Sequence, residues 1–160
     1  MRALVTGGAG FIGSHLSELL LDEGWEVFAL DDLSTGAEAN IAHLREREGF
    51  GFHLVVDSVL SPSVVSELVH RCDAVYHLAA AVGVRLIVEQ PGRTLLTNVQ
   101  GAENVLEYCA RFEKPVLVAS SSEVYGNHPE DVSLEENAVR IYGPTTAKRW
   151  AYADTKALDE

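Results

Sequence analysis

Short apolar runs alternate with longer stretches of helical spacing along the whole chain. Ala3-Leu4-Val5, Glu26 to Leu30, Phe52 to Val56, Ala74 to Leu78 and Val116 to Ala119 read as strands, apolar almost throughout. Strands of that kind belong to a parallel sheet covered on both faces. The segments between them carry a period near 3.6 residues. From Phe11 onward, Ile12, Leu16, Leu19 and Leu20 fall at i, i+4, i+7 and i+8 and form one apolar stripe for a sheet to cover, with Gly24 suited to the stop. Residues 34–50 are polar, with a short helix expected from about Ala37 to Arg47. Ser61-Pro62 is a helix start, a cap followed by proline at the first helical position, and Val64, Val65, Leu68 and Val69 are its buried side. A longer helix after Pro91 is expected to bury Leu95, Val99, Ala102, Leu106 and Cys109. The stretch from Gly126 to Pro144 reads as loop, and a last helix is expected from about Ala147, still running at Glu160.

The first strand opens into Val5-Thr6-Gly7-Gly8-Ala9-Gly10-Phe11-Ile12-Gly13, with glycines spaced G-x-x-G-x-x-G. Glycine there permits a tight turn, a close approach of backbone to a ligand, and close helix–strand contact. The first amides of the next helix have no intrahelical partner and favour an anion, as a dinucleotide pyrophosphate does. The spacing differs from the commoner G-x-G-x-x-G, and alone it also fits a tight turn with no ligand. Together with the alternation of strands and helices it predicts an α/β fold: a Rossmann-type parallel sheet ordered 3-2-1-4-5, helices on both faces, and a ligand crevice at the carboxyl ends of the strands.

Composition narrows the partners. The 160 residues amount to one domain, and a formal charge of −12 argues against nucleic acid and anionic membrane surfaces. No apolar run approaches the roughly 20 residues of a membrane span, and Met1-Arg2 runs straight into a strand, which speaks against a signal peptide. Cys72 and Cys109 are isolated and read as buried free thiols of a cytoplasmic protein. The six histidines show no metal-ligand spacing, so no metal site is expected.

Candidate chemistry falls at the carboxyl ends of the predicted strands. Asp31 ends strand two, where a carboxylate can accept both hydroxyls of an adenine ribose; Asp32 is its neighbour. Asp57 ends strand three and could accept from an adenine amino group or cap the next helix. Ser120-Ser121-Ser122-Glu123-Val124-Tyr125-Gly126 follows strand five, and Tyr152 and Lys156 stand at i and i+4 on one face of the last helix. A phenol with an ordinary pKa near 10 is a poor base at neutral pH; a neighbouring ammonium and a cationic nicotinamide would both favour its ionised form. A serine can hold a substrate hydroxyl against it.

Thr6 to Leu16, Asp31 to Gly36, His77-Leu78-Ala79-Ala80, Thr97-Asn98-Val99, Ser121 to Gly126 and Tyr152 to Lys156 resemble, in order, the NAD-dependent nucleotide-sugar epimerase/dehydratase family, the extended branch of the short-chain dehydrogenase/reductases. The resemblance runs from Met1 to Glu160. It implies NAD as cofactor, held by Gly7, Gly10, Phe11, Ile12 and Gly13 at the turn, by Asp31, Asp32, Asp57 and Ser58, and by Leu78, Ala79, Ala80 and Asn98. It further implies Tyr152 as base, Lys156 on the nicotinamide ribose, and Ser121 on the sugar hydroxyl.

By the same resemblance, C4 of a nucleoside-diphosphate sugar, a UDP-sugar above all, is oxidised to a 4-keto intermediate. Epimerisation at C4 or decarboxylation of UDP-glucuronate then follows. The Asp-Glu pair usual in dehydratases is Ser122-Glu123 here, and with Arg149-Trp150 that is more similar to UDP-glucuronate decarboxylases. Glu123 is then a catalytic carboxylate near C5 and C6, or a structural one bonded to nearby backbone. Arg85 could face a substrate carboxylate or phosphate, or solvent. Family members are considerably longer, so the chain is expected to stop before the C-terminal, substrate-binding part. A homodimer is expected of a full-length parent. Alone, the chain is expected to be a NAD-binding domain of residues 1–160 that turns over no sugar.

Overall fold

The computed structural model describes residues 1–46, 51–83, 89–128, 135–144, 146–147 and 150–160. Five parallel strands lie in the order β3-β2-β1-β4-β5, as expected. They are β1 (Arg2–Thr6), β2 (Glu26–Asp31), β3 (Phe52–Val56), β4 (Ala74–His77) and β5 (Val116–Val118). The register is level across the sheet: Thr6 stands beside Leu30 on one side and His77 on the other, and His77 beside Val118. All the carboxyl ends therefore open onto one edge. Alternation along β1 sends Ala3 and Val5 to one face and Leu4 to the other. Ala3 and Val5 pack with Val27, Leu20, Leu21, Ile41 and Leu44. Leu4 packs with Phe28, Leu30, Val65, Leu68, Val69 and Val105. Helices α1 (Phe11–Asp22) and α2 (Ala42–Arg45) cover the first face; α3 (Pro62–Arg71) and α5 (Gly101–Arg111) cover the second.

Two apolar stripes differ from the sequence reading. In α1, Ile12 and Leu19 are exposed, and the buried residues are Gly13, Ser14, Ser17, Leu20 and Leu21, with Leu16 half-buried. The helix lies too close to the glycine turn for large side chains at its start. A Cβ on Gly13 would stand 2.1 Å from the carbonyl oxygen of Gly7. Ser14 and Ser17 satisfy their hydroxyls within the helix, donating to Phe11 O at 3.0 Å and Gly13 O at 2.7 Å. Small side chains thus win the inward face over apolar ones.

The long helix after Pro91 begins as α4 (Pro91–Leu95), passes through a wide π turn (Leu96–Gln100) and continues as α5. Such a turn takes an extra residue and rotates the rest of the helix about its axis. Leu95 is therefore exposed and Leu106 half-buried, while Thr94, Asn98, Gly101, Ala102, Asn104, Val105 and Cys109 are buried. Gly101 lets Val59 approach, and Asn104 Nδ2 donates to Val59 O at 2.9 Å.

Smaller differences have local causes. Ser61 precedes α3 with Pro62 at its start, but its hydroxyl does not cap the helix; it donates to Asp57 Oδ1 at 2.6 Å. The helix expected from Ala37 is two short turns, Glu38–Asn40 and α2, and Arg47 lies outside the described residues. The last helix, α6 (Trp150–Asp159), starts after the expected Ala147. Arg85 and Arg149 also lie outside the described residues. Cys72 and Cys109 are buried free thiols, pushed up to about 12 and about 11 chiefly by burial.

Replacing Gly13 by alanine places a methyl group against backbone of the turn, which cannot step aside. The Gly13→Ala chain should lose about 3 kcal/mol of stability by urea unfolding. Gly92→Ala, where nothing lies within 4 Å of an added Cβ, should lose none.

Candidate active site

The level carboxyl edge of the sheet forms the floor of an open cleft of about 450 Å³. Gly7, Gly10, Phe11, Ile12, Gly13, Asp31, Asp32, Asp57, Ser58, Leu78, Ala79, Ala80, Tyr152 and Lys156 line it together. Ser121, Glu123 and Asn98 are not among the lining residues; Asn98 is buried, and Ser121 and Glu123 are half-buried after β5. Ser34, Thr35, Thr97 and Ser120, which the sequence reading placed in motifs without a role of their own, line it too, as does Arg93, which it did not find. Ser34 and Thr35 directly follow Asp31-Asp32 and were within reach of the reading. Thr97 comes from the π turn, within the Thr97-Asn98-Val99 motif; Arg93 arrives from α4, and no local spacing points to it.

The turn after β1 is built for backbone exposure. Gly7 has φ 71°, a left-handed conformation that glycine adopts without strain, and a Cβ there would meet Ala79 N at 2.9 Å. Gly10 caps α1 with no side-chain hydrogen bond, and the first turn of the helix carries no acidic residue. Its leading amides are left to the cleft. Opposite them, Asp31 is 8% exposed and already oriented: Oδ2 accepts from Ala9 N at 2.9 Å and Oδ1 from Leu33 N at 2.8 Å. Each oxygen keeps a lone pair for a further donor. The loop after β2 closes over this carboxylate, since a Cβ on Gly36 would lie 2.8 Å from it. Asp57 Oδ1 accepts from Ser58 N at 2.7 Å and from Ser61 Oγ. Those bonds, the Ser61 hydroxyl first, hold its carboxyl below the usual range. No amide of α3 donates to Asp57, so it does not cap that helix; its place in the cleft leaves the other role open. Asp32 and Arg93 face each other at 4.0 Å, both half-exposed; such a pair contributes little to stability.

The other end of the cleft is set by a chain of buried hydrogen bonds. Asn98, carried inward by the π turn, accepts from Ala81 N at 2.7 Å through Oδ1 and donates to Thr155 Oγ1 at 3.1 Å through Nδ2. Thr155 Oγ1 donates to Tyr152 O at 2.7 Å. Asn98 therefore ties α6 to the cleft wall, and so fixes Tyr152 and Lys156 on either side of Thr155. Ser121 Oγ accepts from Glu123 N at 3.2 Å at the start of a short turn, Ser122–Tyr125.

The Tyr152 phenol is half-buried and lies beside Ser121. Burial pushes its pKa up, a hydrogen bond with Ser121 lowers it in part, and the charges of Glu123 and Asp159 raise it further. The Lys156 ammonium expected to favour ionisation is engaged elsewhere, 2.9 Å from Asp159 Oδ2. Asp159, at i+3 from Lys156, was readable from helical spacing.

A sequence model of the NAD dependent epimerase/dehydratase family matches residues 3–160. The chain belongs to that family. It is 38% identical over 159 residues to a UDP-N-acetyl-alpha-D-glucosaminuronate decarboxylase of Bacillus cytotoxicus, covering 99% of this chain and 48% of that protein. It is 38% identical over 133 residues to UDP-glucuronic acid decarboxylase 1 of Danio rerio, covering 81% of this chain and 30% of that one. Among solved structures, UDP-glucose 4-epimerase of Thermus thermophilus in complex with NAD aligns with a TM-score of 0.80 at 33% identity, over 99% of this chain and 48% of that one. UDP-N-acetylglucosamine 4-epimerase of Methanobrevibacter ruminantium M1 aligns with a TM-score of 0.85 at 28% identity, over the same shares. This epimerase/dehydratase chain thus spans about half the length of its nearly fully aligned relative from Bacillus. No helix among its described residues is long and apolar enough to cross a membrane.

Beneath the cleft of this family member lies one further ionisable group. His77, 1% exposed, has Nδ1 2.8 Å from Thr6 Oγ1 and no partner at Nε2 among the described residues. Burial first, and then the Lys156 charge, push its pKa down to about 4. Unfolded, a histidine titrates near 6.5. Between those values the unfolded chain binds a proton that the folded chain refuses, so stability rises with pH across that window and His77 adds nothing above it. Unfolding measured from pH 4 to 7 should show roughly 3 kcal/mol of this dependence, and a His77→Gln chain should lack it.

Proposed function

We propose that this chain is the NAD-binding half of a nucleotide-sugar enzyme that oxidises C4 of a UDP-sugar, and that residues 1–160 carry its catalytic serine, tyrosine and lysine. The observation that carries this reading is the pairing of two cleft ends on one sheet edge. At one end, uncapped helix amides face a buried carboxylate with spare lone pairs; at the other, Tyr152 meets Ser121. The first end fits a pyrophosphate against Gly10, Phe11, Ile12 and Gly13 and a ribose diol against Asp31. Asp31 also favours NAD over NADP, because a 2′-phosphate would sit against its carboxylate; like charges ~4 Å apart repel by roughly 4 kcal/mol at an effective dielectric of 20.

NAD, when bound, supplies the hydride acceptor. The chain's own residues hold the substrate and move its proton. Ser121 Oγ holds the sugar hydroxyl, and Tyr152 Oη takes that hydroxyl's proton as the C4 ketone forms. Leu78, Ala79 and Ala80 wall the cofactor from the β4 side. Glu123 stands close enough for its charge to act on Tyr152, which suits a carboxylate serving the later chemistry at C5 and C6. A C4 ketone is β to a C6 carboxylate and accepts its electrons on decarboxylation. The decarboxylase names of the relatives from Bacillus and Danio support that outcome; the epimerase names among the solved structures support return of the hydride at C4. Exposed Leu95, Leu96 and Leu158, on segments that pack together, support a homodimer in a full-length enzyme.

A second reading, a dinucleotide-binding module without chemistry, is favoured by the raised pKa of Tyr152 and by the engagement of Lys156 with Asp159. Full-length enzymes carrying these residues separate the two. With NAD and UDP-glucuronate or UDP-glucose, Tyr152→Phe should lower kcat at least about a hundredfold and leave NAD affinity within twofold. Unchanged turnover would place the base elsewhere, and no turnover by the parent on any nucleotide sugar would favour the binding module.

A further inference from the structure

Arg93 enters the cleft from a helix whose inner face is anchored. In α4 the neighbouring Thr94 is buried, and its hydroxyl donates to Gln90 O at 3.3 Å. Four residues after Arg93, Thr97 lines the same cleft, so α4 and the π turn present one face to it. Asn98, next to Thr97, ties that stretch down through Ala81 N and Thr155 Oγ1. The backbone carrying Arg93 is thus held, while its side chain, 46% exposed, stands in solvent at the cleft mouth. On its other side, Gly92 has nothing within 4 Å of an added Cβ, so the guanidinium has room to turn.

The carboxylate across the mouth holds Arg93 loosely. Nη2 lies 4.0 Å from Asp32 Oδ2, beyond hydrogen-bond length, and the Asp32 side chain is 40% exposed. Asp32 Oδ1 is bound separately, accepting from Ser34 N at 2.9 Å. A pair of this kind contributes little, so a better anion displaces the carboxylate at small cost. The lining of the cleft carries Asp31, Asp32 and Asp57 but only two cations among the described residues, Arg93 and Lys156. Lys156 belongs to the Tyr152 end, where Asp159 Oδ2 lies 2.9 Å from it. On the Asp32 side the lining cation is Arg93.

On the reading of the cleft as a dinucleotide site, we propose that Arg93 is its diphosphate clamp, exchanging Asp32 for the diphosphate of the arriving dinucleotide. A planar guanidinium matches two phosphate oxygens with paired N–H donors, a fit that its contact with Asp32 does not reach. A diphosphate also carries more charge than one carboxylate. Arg93 then adds a side-chain cation to the uncapped amides of α1. A phosphate on the 2′-oxygen of an adenine ribose is the other anion with this chemistry. That group would stand against Asp31, whose oxygens are already directed by Ala9 N and Leu33 N, so the diphosphate is the favoured partner.

Amide chemical-shift titrations of the 160-residue chain with adenosine, ADP, 2′-AMP and NAD test the exchange. Arg93 is half-exposed, so its replacement should leave the fold intact. Arg93→Gln should bind ADP and NAD about tenfold more weakly than wild type, and adenosine within about twofold. Arg93→Lys, which keeps the charge without the fork, should fall between them. Added salt should weaken ADP binding more steeply in wild type than in Arg93→Gln. Unchanged ADP and NAD affinities in Arg93→Gln overturn the proposal. Equal weakening of adenosine and ADP also overturns it, because Arg93 would then support the adenosine end. A loss confined to 2′-AMP overturns it in favour of the ribose phosphate. The dinucleotide reading has its own failure: a wild-type chain that binds none of these ligands defeats the reading and the clamp together, whereas unaltered binding by Arg93→Gln defeats the clamp alone.

Discussion

The contact on which the rest depends is that between the glycine turn and the first helix. Gly13 stands so close to Gly7 that not even a methyl group fits between them. Because backbone meets backbone there, the start of α1 comes down on the sheet through glycine and serine, and the large apolar residues of that first turn are turned outward. Phe11 and Ile12, 78% and 67% exposed, line the cleft as a consequence. The same closeness brings the helix amides level with the ends of β1, β2 and β4, where Asp31 and the segment from Leu78 to Ala80 are waiting. A cleft with this floor follows from steric exclusion at one point more than from any attraction across it.

Charge is distributed along the cleft in a graded way. Asp31, Asp32 and Asp57 cluster toward β2 and β3, and Arg93 and Lys156 come from the other side. A dianionic ligand would be repelled by three carboxylates were it not for the uncapped amides, which place partial positive charge where no side chain supplies it. Each of the acids is also occupied: Asp31 and Asp57 by backbone amides, Asp32 by Ser34 N at 2.9 Å. Fixed in this manner they are hydrogen-bond acceptors of set direction, which under the proposed reading would favour a diol over a phosphate. At the far end the polarity is inverted. Tyr152, Thr155 and Asn98 form a neutral chain of hydrogen bonds, and the only full charges buried there among the described residues, Lys156 and Asp159, offset each other.

Strand positions were legible in the sequence because the central strands β1 and β2 are buried on both sides, and the edge strands β3 and β5, though partly exposed, keep mostly apolar runs. The order 3-2-1-4-5 followed from the alternation with helices and the position of the glycine turn. The helix faces were harder to read. In α1 the rule that apolar residues point inward lost to the steric demand of the turn, and only the spacing of Gly13, Ser14 and Ser17 carried that information. In the long helix the π turn broke the period, and Asn98, which causes no apolar signal, turned out to lie at its centre. Cleft residues in or next to a recognisable motif were legible; Arg93 reaches it only through tertiary packing. Spacing put Tyr152 and Lys156 on one face of a helix, and it does not say which neighbour holds each side chain; the contact of Lys156 with Asp159 comes from the fold.

If the glycine turn, the end of β2 and the segment after β4 form one dinucleotide site, NAD should mark all three at once. Mapping NAD onto the chain by amide chemical shifts tests this most directly. Gly7 to Gly13, Asp31 to Thr35, Asp57-Ser58 and Leu78 to Ala81 should shift together and saturate with a single Kd, weaker with NADP, while Val64 to Val69 on α3 stay still. Shifts that leave Gly10 to Gly13 and Asp31 unmoved, or that saturate separately at the two ends, would contradict it.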